Sequence, residues 1–125
     1  MAMVDLPERT GRLSPGECAA LRRFLTRLLE RAEPGAVAWV CVFGSRARGL
    51  SGEEWDLDIA VQAVAGADRA RLRDVAADAA WDAMAEKDAF RLRLAPVVLP
   101  APEPVPPAGL HAAIAREGIP LWPPT

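Results

Sequence analysis

The feature that most restricts how this chain can fold is a pair of short apolar segments separated by a basic turn. The segments run from Ala36 to Phe43 and from Trp55 to Gln62, and glycine bounds the first on both sides. Apolar runs of this length are short for a helix and are typical of central strands. The sequence therefore predicts two neighbouring strands, with Gly44 to Gly49 forming a tight turn or the first turn of a short helix between them.

Two aspartates lie near the beginning of the second predicted strand. Asp56 and Asp58 are two positions apart, so their side chains share one face of the strand, whereas Leu57 and Ile59 take the other. Two carboxylates this close repel each other unless a cation lies between them. Oxygen ligands of this kind suit Mg²⁺, which usually also binds the phosphates of a substrate. We therefore predict that this pair binds a divalent metal ion.

The turn after the first strand has the composition of a phosphate-binding site. Gly44 allows a close backbone approach, and Ser45 offers a hydroxyl beside the free N–H groups of a helix that begins there. Arg46 and Arg48 add forked donors that match phosphate oxygens, although a solvated basic turn explains them equally well. We therefore predict a phosphate-binding turn at Gly44 and Ser45, with Arg46 and Arg48 as further candidate contacts.

The Gly-Ser pair, an interval of ten residues and the Asp-Leu-Asp triplet together resemble the pattern of the DNA polymerase β-like nucleotidyltransferase superfamily, in its minimal single-domain form. Each half alone is a weak signal, but the two halves at this spacing, each joined to a predicted strand, are more specific. The resemblance implies an α/β fold in which a small mixed sheet is flanked by helices. The site residues that it implies are Gly44, Ser45, Arg46 and Arg48 for the nucleotide, and Asp56 and Asp58 for catalysis and Mg²⁺.

The activity implied by the resemblance is transfer of a nucleoside monophosphate from ATP or another NTP to a hydroxyl, with release of pyrophosphate. Active members usually carry a third carboxylate on the next core strand. Here that strand is predicted at Phe90 to Leu99, which contains Arg91 and Arg93 but no acidic residue. Asp88 lies just before it and Glu103 just after. The metal pair therefore favours an enzyme, and the missing third carboxylate favours a catalytically weak binding module.

The resemblance also implies a partner. Minimal transferase domains of this kind often act with a separate helical HEPN-type protein in toxin–antitoxin pairs. There the transferase-like chain is the antitoxin and in some cases adenylylates its partner. We expect such an AMP-transferring antitoxin or, as the alternative, a module that neutralises or scaffolds a helical partner. The chain has no Tyr and few hydroxyl side chains, which favours an acceptor outside it. Edge-strand pairing into a homo-oligomer is a simpler form of association.

Length and composition fit a single domain. The chain has 125 residues, 51% of them hydrophobic, and a formal net charge of −2, which gives no sign of broad nucleic-acid binding. Residues 1–13 are predicted to be a flexible lead-in, and residues 14–125 a single nucleotidyltransferase-like domain. Two cysteines without metal or redox spacing, no signal peptide and no apolar run of about 20 residues indicate a cytoplasmic protein that does not enter a membrane.

Helices are predicted before and after the strand pair. The segment Ser14 to Glu17 is a capping box that begins a helix running to about Glu33, and Arg23 falls largely outside the apolar stripe of this helix. Asp68 caps a second helix that runs to about Glu86. Three aspartates of the second helix repeat at four-residue spacing, which favours an exposed acidic face over a metal-binding stripe: Asp74, Asp78 and Asp82.

Overall fold

Four strands form one mixed sheet, and the computed structural model describes residues 13–44, 57–85, 93–101, 114 and 118–123. The elements in chain order are α1 (Pro15–Arg31), β1 (Val37–Phe43), β2 (Leu57–Ala63), α2 (Arg69–Ala85), β3 (Leu94–Leu99) and β4 (Ile119–Trp122). The strand order is β3-β2-β1-β4. β1 is antiparallel to β2 and β4, and β2 is parallel to β3. The predicted fold, a small mixed sheet flanked by helices, is confirmed.

Local signals set both ends of α1. The Ser14 hydroxyl accepts from the Glu17 N–H at 3.1 Å, and the Glu17 carboxylate accepts from the Ser14 N–H at 2.8 Å, so the predicted capping box is present. The helix ends at Arg31, two residues earlier than predicted. Pro34 disfavours helical backbone at the residue before it, and the chain is already extended at Ala32.

The main core lies between the two helices and one face of the sheet. Its helix residues include Leu21, Phe24, Leu28, Leu72, Ala76 and Ala79. Its sheet residues include Val40, Val42, Leu57, Ile59 and Val61. A smaller cluster covers the opposite face, with Cys41, Ala60, Leu99 and Ile114. The side chains of successive residues in β1 and β2 therefore point to opposite faces of the sheet, and Asp58 lies on the face of the smaller cluster.

One arginine of α1 is placed differently from the sequence prediction. Arg23 is buried, and its Nε and Nη2 atoms both donate to the backbone oxygen of Ala83 at 3.2 Å. Ala83 lies in the last turn of α2, where carbonyls have no partner within the helix and a cation is favourable. Arg31, about two turns further along α1, pairs with Asp82 at 2.5 Å, although both side chains are well exposed. Two arginines of α1 therefore add polar contacts to α2 beside the apolar packing between the helices.

The elements α2, β1, β2 and β3 match their predicted positions to within four residues at each end. The Asp68 carboxylate accepts from the Arg71 N–H at 3.1 Å, which confirms the cap of α2. β2 is described from Leu57, and the predicted strand residues 55 and 56 lie outside the described residues. β3 begins at Leu94 rather than at residue 90, and residues 90–92 likewise lie outside the described part. None of the described helices is long and apolar enough to cross a membrane.

Candidate functional site

The end of β1 and the start of β2 meet at one edge of the sheet. In the antiparallel register, Phe43 pairs with Asp58, so the glycine that follows β1 lies beside the aspartate near the start of β2. Cross-strand partners share a face, and Asp58 therefore lies on the face away from the two helices. The side chain of Asp58 is half-buried there. Tertiary pairing thus brings together two of the predicted site residues, Gly44 and Asp58, which are fourteen positions apart.

Glycine is required at position 44 for two independent reasons. Its φ is +77°, in the left-handed region that L side chains rarely adopt. In addition, a Cβ atom at this position would lie 2.6 Å from Oδ2 of Asp58, well inside van der Waals contact. The Asp58 carboxylate therefore lies directly against the backbone of Gly44. A cation or phosphate group held by this carboxylate would therefore also lie near the Gly44 turn.

Gln62 lies at the far end of the same face, and no sequence motif marks it as a structural residue of the site. This side chain is buried, and its Nε2 atom lies 2.9 Å from the oxygen of Ala63, 3.3 Å from that of Leu99 and 2.7 Å from that of Pro100. A buried amide requires such partners. These contacts fasten the end of β3 to β2 on the face that carries Asp58. The only sequence signal was a polar residue within an apolar strand.

Cys41 lies on this face but has the properties of a core residue. It is buried, in the cluster with Ala60 and Ile114, and burial raises the pKa of its thiol to about 12. A thiol protonated at neutral pH is a poor nucleophile and a poor metal ligand. The thiol therefore supplies packing rather than chemistry, in agreement with the absence of metal or redox spacing around the two cysteines in the sequence.

β3 borders Asp58 on the side opposite Gly44. The Cα partner of Asp58 on β3 is Ala95, and the strand and the residue before it, Arg93 to Leu99, contain no acidic residue. The two sequence candidates for a third carboxylate, Asp88 and Glu103, lie outside the described residues. Within β3 itself, the position nearest Asp58 is therefore occupied by a methyl group.

The donor set at this edge suits a hard cation. Carboxylate oxygens are the ligands that Mg²⁺ prefers, and one oxygen of Asp58 lies beside the backbone of Gly44. The described ranges contain no cluster of three or more His, Cys, Asp or Glu that would hold a metal alone. The other predicted site residues lie outside the described part of the chain: Ser45, Arg46, Arg48 and Asp56. Their placement stays a prediction from sequence.

Comparison with known proteins supports one family. A family model described as a nucleotidyltransferase domain matches residues 21–99, more than half of the chain. The match runs from within α1 to the end of β3 and includes both Gly44 and Asp58. No curated protein and no solved structure matches the chain. The chain therefore belongs to the nucleotidyltransferase domain family.

Proposed function

We propose that this protein is a Mg²⁺-dependent transferase that moves a nucleoside monophosphate, AMP by preference, from an NTP to a hydroxyl on a partner protein. The observation that supports it is the contact between Gly44 and Asp58, which brings the glycine turn after β1 against a carboxylate at one edge of the sheet. Family membership supports nucleotidyl transfer in general. The proposed partner is a helical HEPN-type protein, with this chain as the antitoxin of the pair.

In the proposed reaction, the oxygen of the acceptor hydroxyl forms a bond to the α-phosphorus of the NTP and gives up its proton. The bond from the α-phosphorus to the bridging oxygen breaks, and pyrophosphate leaves with that oxygen. Asp56 and Asp58 would hold Mg²⁺, which when bound neutralises phosphate charge. Gly44 lets the phosphates approach the backbone, and Ser45 with Arg46 and Arg48 would bind their oxygens.

Nucleotide binding tests the first half of the proposal. Calorimetry with ATP should show binding that is much stronger with Mg²⁺ than with EDTA. Asp58→Asn should remove this difference, because it deletes a charged ligand without changing the shape of the side chain. Asp78→Asn is the matched control, since Asp78 is exposed on α2, which packs on the other face of the sheet. Equal ATP affinity with and without Mg²⁺ in the wild type would contradict the assignment.

Group transfer tests the second half. The purified chain is incubated with ATP labelled in its α-phosphate and Mg²⁺, alone and with the protein encoded beside its gene. Label should appear on the neighbour and be lost with Asp58→Asn. Strong labelling of this chain alone, with none on the neighbour, would contradict an external protein acceptor.

The second candidate function is a nucleotidyltransferase-fold module that binds and neutralises its partner with little catalysis. It is favoured by β3, where Ala95 rather than a carboxylate lies beside Asp58. A stable complex with the neighbouring protein, together with no transfer of label to either chain, would favour this module over the enzyme.

A further inference from the structure

The face of β3 that borders Asp58 can be assigned from the strand register. Leu94 is the parallel partner of Leu57, and both are buried in the core beneath the helices. Ala95 is the partner of Asp58 and therefore lies on the opposite face of the sheet, with Asp58.

The pairing between β2 and β3 continues one residue before β3. The N–H of Leu57 donates to the backbone oxygen of Arg93 at 2.8 Å, so Arg93 still follows the ladder. Two positions separate Arg93 from Ala95, which places both on the face of Asp58. Arg93 is exposed. Strand spacing and rise put its Cα atom about 8 Å from that of Asp58, within reach of an extended arginine side chain.

The strand order places Asp58 between two different groups. Gly44 follows β1 on one side of β2, and Arg93 precedes β3 on the other side. A triphosphate that lies against Gly44 and Asp58 brings several negative charges to this edge of the sheet. On the β3 side, residues 93–99 offer no carboxylate to hold a cation, but they do offer a guanidinium.

We propose that Arg93 binds a phosphate oxygen of the nucleotide on the β3 side of Asp58. The inference rests on the proposed function and adds to it a nucleotide-binding residue. Arginine suits this role because its forked, permanently charged donors match phosphate oxygens. Arg93 supplies positive charge there without a metal ion, whereas Asp58 contributes to binding through Mg²⁺.

The test is calorimetric titration of the full chain with the non-hydrolysable analogue α,β-methylene ATP in the presence of Mg²⁺. Arg93→Ala should weaken binding about 10-fold or more, the loss expected for a charge-assisted hydrogen bond. The affinity of Arg93→Lys for the analogue should lie between those of the wild type and Arg93→Ala, because lysine keeps the positive charge but lacks the forked donors. Arg73→Ala is the control, since Arg73 is exposed on α2, on the other face of the sheet. The dissociation constant of Arg73→Ala for the analogue should stay within about twofold of the wild-type value, as expected for a surface residue away from the ligand.

The outcomes separate this inference from the proposed function. If Asp58→Asn loses Mg²⁺-dependent binding while Arg93→Ala binds like the wild type, the role of Arg93 is refuted and the nucleotide site stands. Equal losses in the Arg93 and Arg73 variants would also refute it, because they would reflect net charge alone. If the wild type does not bind the analogue with Mg²⁺, both proposals are wrong. Circular dichroism and the thermal midpoint establish that each variant is folded.

Discussion

Asp58 occupies the space that a side chain on residue 44 would need. Its Oδ2 atom lies 2.6 Å from the position that a Cβ of residue 44 would take, and Gly44 itself has a φ of +77°. Two other glycines, Gly35 and Gly66, have similar positive φ values but no atom within 4 Å of such a Cβ. The constraint at Gly44 is therefore both conformational and steric, whereas at the other two it is conformational alone.

Gly44→Ala should therefore destabilise the fold more than Gly35→Ala. Gly35→Ala should lower the free energy of unfolding by about 1 to 2 kcal/mol, because alanine must adopt a left-handed backbone there. Gly44→Ala should cause the same loss, and its Cβ must also displace the Asp58 carboxylate, which lowers the stability further. Urea unfolding of the two variants measures the difference in the free energy of unfolding. Repeating Gly44→Ala in an Asp58→Ala background should shrink that difference, and equal costs for the two single variants would contradict the steric contact.

Ala95→Asp should make stability depend on a divalent metal. The new carboxylate would lie on the strand next to Asp58, about 4.8 Å away between Cα atoms, and the two charges would repel. In EDTA we expect a loss of about 1 kcal/mol, as for like charges on adjacent strands. Mg²⁺ should restore most of it by binding both groups. Thermal unfolding with and without Mg²⁺ tests this, with Ala95→Asn as the uncharged control of the same shape. Identical behaviour of the Asp and Asn variants would refute it.

Two arginines of α1 contact α2, and their removal should have very different costs. Arg23→Met leaves the buried carbonyl of Ala83 without its donors, so we expect a loss of about 2 to 3 kcal/mol. Arg31→Met breaks only the exposed pair with Asp82, which should cost at most about 1 kcal/mol. Chemical denaturation of both variants measures the two values. A cost for Arg31→Met as large as that for Arg23→Met would contradict this account.

Cys41 should make the fold less stable at high pH. The folded thiol has a pKa of about 12 because it is buried, and its ordinary value is 9.0. Above pH 9 the unfolded chain loses this proton while the folded chain keeps it. The stabilisation that the protonated thiol gives to the folded state is therefore complete below pH 9 and is lost as the pH rises toward 12. Between pH 8 and pH 10 the free energy of unfolding should fall by about 1 kcal/mol more in the wild type than in Cys41→Ala. Parallel pH dependence in the two proteins would show that the thiol is not desolvated.

Short-range patterns in the sequence determined the elements and the motif. The capping box at Ser14 and Glu17 needs only residues three apart, and the apolar runs before Gly44 and after Asp56 needed only their length and composition to be recognised as strands. The Gly-Ser and Asp-x-Asp spacing likewise predicted a nucleotide site before any pairing was known. The predictions of the helix cap and the strands are confirmed because the forces behind them act within one turn of a helix or one strand, whereas the nucleotide site stays a prediction.

Tertiary structure decided which residues far apart in the sequence are in contact. Arg23 is buried because a carbonyl sixty positions away, at Ala83, ends α2 next to it, and no local pattern carries that information. The register of β1 on β2 placed Gly44 against Asp58, and the order β3-β2-β1 placed Arg93 on the far side. Strand register and order depend on which apolar faces the helices cover, and that is a property of the whole chain.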